Sequence, residues 1–459
     1  MIPVLTPSEM AGVDRSAPEP VDVLVERAGH AVAAAARRLL GGSYGKRVVV
    51  VAGPGHNGDD GRVAARRLEA WGSAVEVLAV TEAVANKALP ACDLVVDAAF
   101  GTGLSRAYTP PDPGGAKVLA VDIPSGLSGI SGRPVAGGGA VAADVTVTFA
   151  AYKPGLLLGS GPELAGAIQL AGIGLAPLAE SVATAWLVTD DDVASALPAR
   201  PRDTHKWKTA VQIVAGSPAM PGAAWLVATS AMRAGAGYAL VRVPGAPPGG
   251  GLPPGEYVAG GLPAQGWAPA AAEAAARVQA LVVGPGIGPA GGDVTDLLGA
   301  TSVPAVVDAD GLTALGSLDT VRAVAARRSS PVVLTPHEGE FARLTGRPVS
   351  EDRIGDVRAA ARDSGAVVLL KGSTTVVASP DGRVLIAAAG SARLATAGTG
   401  DVLSGVIAAF LARGVPPFEA AGLAAHCHGR AASLGPSEGM VASDLPVLVS
   451  AWLSKVVGR

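Results

Sequence analysis

Apolar and polar positions follow two periods along this chain. Helical spacing of apolar residues predicts helices over Ser8–Asp14 and Val21–Leu40, the second Ala-rich with Arg37 and Arg38 near its end. Lys46–Ala52 is instead an unbroken apolar run, the texture of a strand buried on both faces of a parallel sheet. It runs into Gly53-Pro-Gly-His-Asn-Gly-Asp-Asp-Gly-Arg62, after which Val63–Trp71 reads as a helix. Further strands are expected at Ala74–Val80, Leu94–Asp97 and Lys117–Asp122. Strands alternating with helices, with Gly-rich turns at strand C-termini, mean a doubly wound α/β sheet whose ligands sit at those turns.

The pattern restarts after a polar, Pro-bearing stretch, Leu187–Asp203, which marks a boundary between domains 1–185 and 186–459. Strands are expected at Ala210–Ala215, Tyr238–Val243, Ala280–Val283, Ala305–Val307, Val332–Leu334 and Ala366–Leu370. Helices are expected at Ala223–Ala234 and Val402–Leu411. The fold class is therefore α/β, two doubly wound three-layer α/β/α domains. A length of 459 residues agrees, since one hydrophobic core seldom supports so long a chain.

Composition narrows the function classes. Net charge is −3, from 36 basic and 39 acidic residues, so there is no electrostatic case for nucleic acid or an anionic membrane surface. The longest uncharged run, Thr209–Met232, carries Pro218, Pro221 and glycines and makes a poor membrane span. The start, Met1 to Met10, lacks the charged and apolar regions of a signal peptide. Two cysteines, Cys92 and Cys427, fit a reducing cytoplasm better than a disulfide scaffold. His426-Cys427-His428 lacks a partner cluster, so no metal is expected there.

Candidate chemistry gathers at the turns. Gly398-Thr399-Gly400 precedes Asp401 and an apolar helix; amides at such a start converge on one spot and suit an anion. A carboxylate beside that spot needs a task, such as taking a proton from an attacking hydroxyl. Lys371 is backed by Gly372-Ser373, which makes a backbone nest. In the first half, three successive strand ends carry Asn57, Asp59 and Asp60, then Asp97 to Arg106, then Asp122 to Leu127. The first is no dinucleotide fingerprint, because two aspartates follow its glycines; oxygen-rich loops at one sheet edge suit a cation and a sugar.

These loops resemble the NAD(P)HX epimerases over about residues 5–185, with G-x-G-N-N-G-G-D-G, D-A-x-F-G-T-G-L and V-D-I-P-S-G-L patterns. The resemblance implies a potassium ion on Asn57, Asp97 and Ser125. It implies hydrated dinucleotide against His56, Asn57, Gly58, Asp59 and Asp60, and against Gly101, Thr102, Gly103, Leu104, Ser105, Arg106 and Ala107. It implies Asp122 at the reacting centre. His56 replaces the family's asparagine and Asp59 its glycine, which bears on phosphate and cation binding.

Residues 186–455, through Gly284-Pro-Gly-Ile-Gly288, Thr335-Pro-His-Glu-Gly-Glu340, Lys371-Gly-Ser and Gly398-Thr-Gly-Asp401, resemble the ribokinase-like superfamily, and within it the ADP- or ATP-dependent NAD(P)HX dehydratases. The opening loop departs from the family's H-K-G-S-F-G, reading His205-Lys-Trp-Lys-Thr-Ala210. The resemblance implies Asp401 as catalytic base and Ala223, Gly286 and His337 as contacts to the hydrate. Lys371, Gly372, Ser373, Thr374 and Thr375 then meet the nucleotide, with Gly398, Thr399 and Gly400 as the anion hole. Magnesium with ADP or ATP is the implied cofactor, and NADHX or NADPHX the substrate.

Epimerase-like and dehydratase-like halves on one chain resemble the fused bacterial NAD(P)H-hydrate repair enzymes. The expected protein is a cytoplasmic homo-oligomer without nucleic-acid or membrane partners. Two other readings stay open: a ribokinase-like small-molecule kinase with a regulatory N-terminal half, and an N-terminal binding module without turnover.

Overall fold

The computed structural model describes residues 1–458. The chain divides into two compact units, Ile2–Ala185 and the segment from Trp186 onward.

The first unit is built on a six-stranded sheet of β1 (Arg47–Ala52), β2 (Ala74–Ala79), β3 (Leu94–Ala98), β4 (Lys117–Val121), β5 (Val145–Phe149) and β6 (Ala167–Ala171), in the order β2-β1-β3-β4-β5-β6. Every pairing is parallel. Alternate residues of one strand feed opposite cores. Val48 and Val50 pack with Ala28, Val32, Ala36 and Leu68, whereas Val49 and Val51 pack with Leu78, Val95 and Tyr108. Two apolar faces oblige helices on both sides, which is why the strands read as continuous apolar runs. Helices α1 (Pro7–Arg15), α2 (Val21–Leu40) and α3 (His56–Ala70) fall where helices were expected, with one difference of consequence. Helix α3 begins at His56 and not at Val63. Asn57, Asp59 and Asp60 therefore lie on its opening turns, a more rigid mount than a loop. Strands β5 and β6 were not foreseen.

The second unit carries α4 (Pro221–Arg233), α5 (Glu338–Thr345), α6 (Arg353–Ser364), α7 (Thr399–Ala412) and α8 (Pro417–Ala432). Its strands are β7 (Ala210–Val214), β8 (Tyr238–Pro244), β9 (Val258–Leu262), β10 (Ala280–Val283), β11 (Ala305–Val307), β12 (Val332–Leu334), β13 (Val367–Leu370), β14 (Thr375–Ala378) and β15 (Val384–Ala387). They run β15-β14-β13-β12-β11-β10-β7-β8-β9 across the sheet, parallel except where β13, β14 and β15 pair antiparallel. The antiparallel edge and β9 escaped sequence reading. As a result Thr375 opens a strand instead of closing a turn.

Helix α7 is buried almost all round, from Val402 to Ala412, as its uniformly apolar composition requires. It crosses α4 so closely that a Cβ on Gly405 would stand 2.1 Å from Ser230 Oγ and 2.4 Å from the Val227 carbonyl oxygen. Among the described residues, no helix is long and apolar enough to cross a membrane.

Backbone cannot yield at that crossing. Gly405→Ala is therefore expected to destabilise the chain by about 1–3 kcal/mol through overpacking, despite the roughly 1 kcal/mol that alanine contributes inside a helix. Gly299→Ala, on an exposed helix face with nothing within 4 Å of the new Cβ, should be neutral or stabilising. Thermal melting of the two variants checks the contrast.

Candidate functional sites

In the first unit the C-terminal ends of β1, β3 and β4 open into a cavity of about 710 Å³. It is lined by His56, Asn57 and Asp60 of α3, by Gly101 to Arg106, and by Asp122. Sequence reading did not single out two further wall residues, Asp14 of α1 and Lys153 beyond β5. Gly58, Asp59 and Ala107 are not on its wall. Gly58 packs where a Cβ would meet the Gly53 carbonyl oxygen at 2.0 Å. Asp59 faces a neighbouring groove with Arg62, Arg66 and Arg67, and Arg62 Nη1 donates to it at 3.1 Å. The charge of Asp59 is thus countered by the Arg62 guanidinium. His56, at the rim, has a largely exposed imidazole 3.8 Å from Asp59.

Asp122 is held in the left-handed region at φ 65°, a conformation that a non-glycine residue keeps only when its surroundings impose it. Its N–H donates to the Val147 carbonyl at 2.7 Å. Its Oδ1 accepts from Lys153 Nζ and, at 3.2 Å, from Thr148 Oγ1. Lys153 is 1% exposed, and its remaining hydrogen bonds go to Thr148 Oγ1 and the Phe149 carbonyl. Asp60 has no such partner. Burial, and then the charges of Asp122, Asp59 and Asp14, push its carboxyl up to about 8. Asp14 is raised too, chiefly by burial and also by Asp122, against the opposing charges of Lys153 and His56.

Asp97 and Ser125 meet directly: Asp97 Oδ2 accepts from the Ser125 N–H at 2.8 Å. Ser125 Oγ accepts from the Phe100 N–H and donates to the Phe100 carbonyl. Asn57 lies against Gly101, and its buried Nδ2 has no hydrogen-bond partner. Burial raises the Asp97 carboxyl to about 6, although the Ser125 and Ala99 donors oppose the shift. Among the described residues Asp97 forms no ion pair. Asp97 is thus a buried carboxylate held by the Ser125 main chain, with no cationic side chain paired with it among the described residues.

In the second unit Gly398 caps α7 at φ 92°, where a Cβ would press on Leu226 of α4. Gly400 stands where a Cβ would lie 3.4 Å from Lys371 Nζ and 3.8 Å from Asp308 Oδ2. The start of α7 and the lysine therefore lie side by side. Lys371 Nζ donates to Asp308 Oδ1 at 2.7 Å and approaches Glu340 Oε2 at 3.9 Å. Asp308, 1% exposed, also accepts from Ser404 Oγ at 2.8 Å. Burial opposes the charge of Lys371, but Asp308, Glu340 and Asp401 outweigh it and raise its pKa. Asp401 goes up to about 7, through burial first, then the charges of Asp308 and Asp310, against the pull of Lys371.

The other residues expected at this site fall around the same network. Glu340 Oε2 accepts from the His337 N–H at 2.9 Å, and His337 Nδ1 caps α5 by accepting from the Gly339 and Glu340 N–H groups. Gly286 lies beside Ala223 at the start of α4. The Gly288 N–H donates to Asp310, tying down the Gly284–Gly288 turn. Gly372 lies under Arg353, whose Nη2 donates to the Lys371 carbonyl at 2.8 Å. Ser373 and Thr374 complete that turn before β14. Asp308, Ser404 and Arg353 escaped sequence reading. Asp308 had a signal, Asp308-Ala-Asp310 after a strand; Ser404 and Arg353 look like ordinary helix residues. His426 and His428 do not converge: His426 Nε2 faces Asp190, while His428 is buried near Thr399 and kept neutral, its pKa lowered to about 4 by burial.

Comparison with known proteins follows this division. A family described as NAD(P)H-hydrate dehydratase matches residues 211–454. A second, described as YjeF-related protein N-terminus, matches residues 21–89 and 79–155. The bifunctional NAD(P)H-hydrate repair enzyme of Salinibacter ruber is 35% identical, over 96% of this chain and 94% of its own length. That of Mycobacterium leprae is 38% identical, over 95% and 94%. A crystal structure of a ribokinase-like superfamily protein from Enterococcus faecalis V583 superposes with a TM-score of 0.51 at 20% identity, covering 60% of this chain and 98% of that one, a likeness of fold.

The Asp401 carboxyl holds its proton to about pH 7 when folded, against 3.8 for the free side chain. The folded state binds more protons between those values, so this group's contribution to stability is present at low pH and lost as pH rises towards 7. Asp401→Asn should accordingly lose less stability than the parent chain between pH 4 and 7. Urea midpoints measured across that interval test the sign.

Proposed function

We infer the division of labour between the two units from one premise: the chain belongs to the family of bifunctional NAD(P)H-hydrate repair enzymes. It is an NAD(P)H-hydrate epimerase and a nucleotide-dependent NAD(P)H-hydrate dehydratase, and the lone small-molecule kinase reading is not favoured. Its substrates are NADH and NADPH hydrated at C6 of the nicotinamide ring, forms that cannot donate hydride.

Dehydration belongs to the second unit and acts on the S epimer. Hydroxide is a poor leaving group, so the C6 hydroxyl is first phosphorylated. Asp401 takes the hydroxyl proton as the oxygen attacks the terminal phosphorus of ATP or ADP. Phosphate then leaves C6, a proton leaves C5, and the ring double bond reforms. The observation that carries this reading is Asp401 itself: a buried carboxyl raised to about 7, beside the Gly398–Gly400 helix start. A base poised near neutrality combines a populated basic form with a useful affinity for the proton. Lys371, neutralised by Asp308, remains close enough to Gly400 to share charge on the transferring phosphoryl group. Among the described residues no group of three or more His, Cys, Asp or Glu side chains encloses a metal site. Magnesium, bound with the nucleotide phosphates, would supply neutralisation of their charge.

Epimerisation belongs to the cavity of the first unit, with Asp122 as base. Asp97, Ser125 and Asn57 would hold potassium through oxygen atoms, balancing the buried carboxylate. The free thiols Cys92 and Cys427 support a reducing cytoplasm.

Asp401→Asn should cut nucleotide-dependent NADH recovery by ~10²–10⁴ while R and S hydrates still interconvert; activity within about threefold of the parent contradicts the base assignment. Asp122→Ala should do the reverse, stopping R-hydrate consumption and leaving S-hydrate repair at its normal rate. Epimers resolved by chromatography report both. Replacing potassium with tetramethylammonium should lower the melting temperature of the parent chain but not that of an Asp97→Asn chain.

A further inference from the structure

The epimerase cavity holds more acid than the assignment of Asp122 uses. Three carboxyls face it from three elements: Asp14 from α1, Asp60 from α3 and Asp122 from the end of β4. A buried lysine accompanies them, and it is committed to Asp122. Arg106 also reaches the wall, but its guanidinium lies 5.9 Å over the Phe100 ring. Asp60 is 6% exposed and, among the described residues, its side chain forms neither a hydrogen bond nor an ion pair. Anionic neighbours surround it without a cation of its own. A carboxyl so placed keeps its proton, and the O–H it then carries has only the cavity to donate into.

Inverting one carbon takes chemistry on both of its faces. An ionised carboxylate and a protonated one in a single cavity divide into base and acid. We propose, building on the assignment of this cavity as the epimerase site, that Asp60 is its proton donor and acts on the C6 hydroxyl opposite Asp122. The Asp60 proton goes to that hydroxyl, the C6–O bond breaks, and water departs. The N1 lone pair closes a C6=N1 iminium, whose positive charge lies near the Asp122 carboxylate. Water then adds to the other face of C6, giving its proton to Asp122 and its electron pair to the new C6–O bond. The proton on Asp122 returns to Asp60 through solvent, so neither oxidant nor second substrate is consumed.

The route leaves a mark in the product. The full-length chain, given purified R-hydrate of NADH in ¹⁸O-water without nucleotide, should form S-hydrate carrying one ¹⁸O at C6 for each conversion. Asp60→Asn keeps the side-chain shape but cannot act as an acid. It should slow conversion ~100-fold or more with little change in KM, and Asp60→Glu should recover part of the loss. Conversion by Asp60→Asn within about threefold of the parent overturns the donor role. S-hydrate formed by the parent without ¹⁸O overturns the C6–O route whether or not the variant folds, since the ring would then open at C6–N1. If the parent leaves R-hydrate unconverted, the epimerase assignment itself fails, and the donor with it.

Discussion

A buried lysine and two carboxyls cannot all reach charge balance, and both sites of this chain exploit that mismatch. In the second unit Lys371 pairs with Asp308, which leaves Asp401 close to its own pKa near neutrality. In the first unit Lys153 pairs with Asp122, which leaves Asp60 without a cation. Burial strengthens the preference in each case, because low-dielectric surroundings penalise whichever charge has no partner. In each site the buried lysine is committed to one carboxylate, and a second carboxyl nearby, Asp401 or Asp60, is raised.

The folds supply the placement. Parallel sheets deliver their loops to one edge, so Asn57 and Asp60 of α3 line one cavity with Asp122 although α3 and the end of β4 are separate elements. Helix starts at His56 in the first unit and Thr399 in the second carry main-chain N–H groups without partners within their own helices. Close packing holds the second of these in place. Gly398 and Gly405 let α7 lie directly on α4, which brings Gly400 beside Lys371. The same crossing that stabilises the unit therefore positions the start of α7 beside Lys371.

Much of this was legible in the sequence, for definable reasons. Buried parallel strands announce themselves as apolar runs, and Ala280–Val283, Ala305–Val307 and Val332–Leu334 lie where they were read. Strands β5 and β14 were missed: Val145–Phe149 alternates valine with threonine and has no loop motif behind it, and Thr375–Ala378 follows its neighbour too closely to stand apart. The start of α3 was read late because glycines and aspartates mimic a turn, whereas at a helix start their amides and charges fit well. Motif residues could be named; their partners could not. Lys153, Asp308, Ser404 and Arg353 take their meaning from side chains distant in sequence. The same limit hid the Arg62 contact that counters the charge of Asp59.

Two activities on one chain make sense only if the first feeds the second: hydration of the ring gives both epimers, and the dehydratase consumes one. The direct test gives the parent chain an equilibrated mixture of R and S hydrates of NADH, with ATP or ADP and magnesium, and follows absorbance at the NADH band. Recovery of the whole mixture at an enzyme-dependent rate is the predicted result. A burst that stops at the S fraction, followed by a slow rise whose rate is independent of enzyme concentration, would contradict a working epimerase.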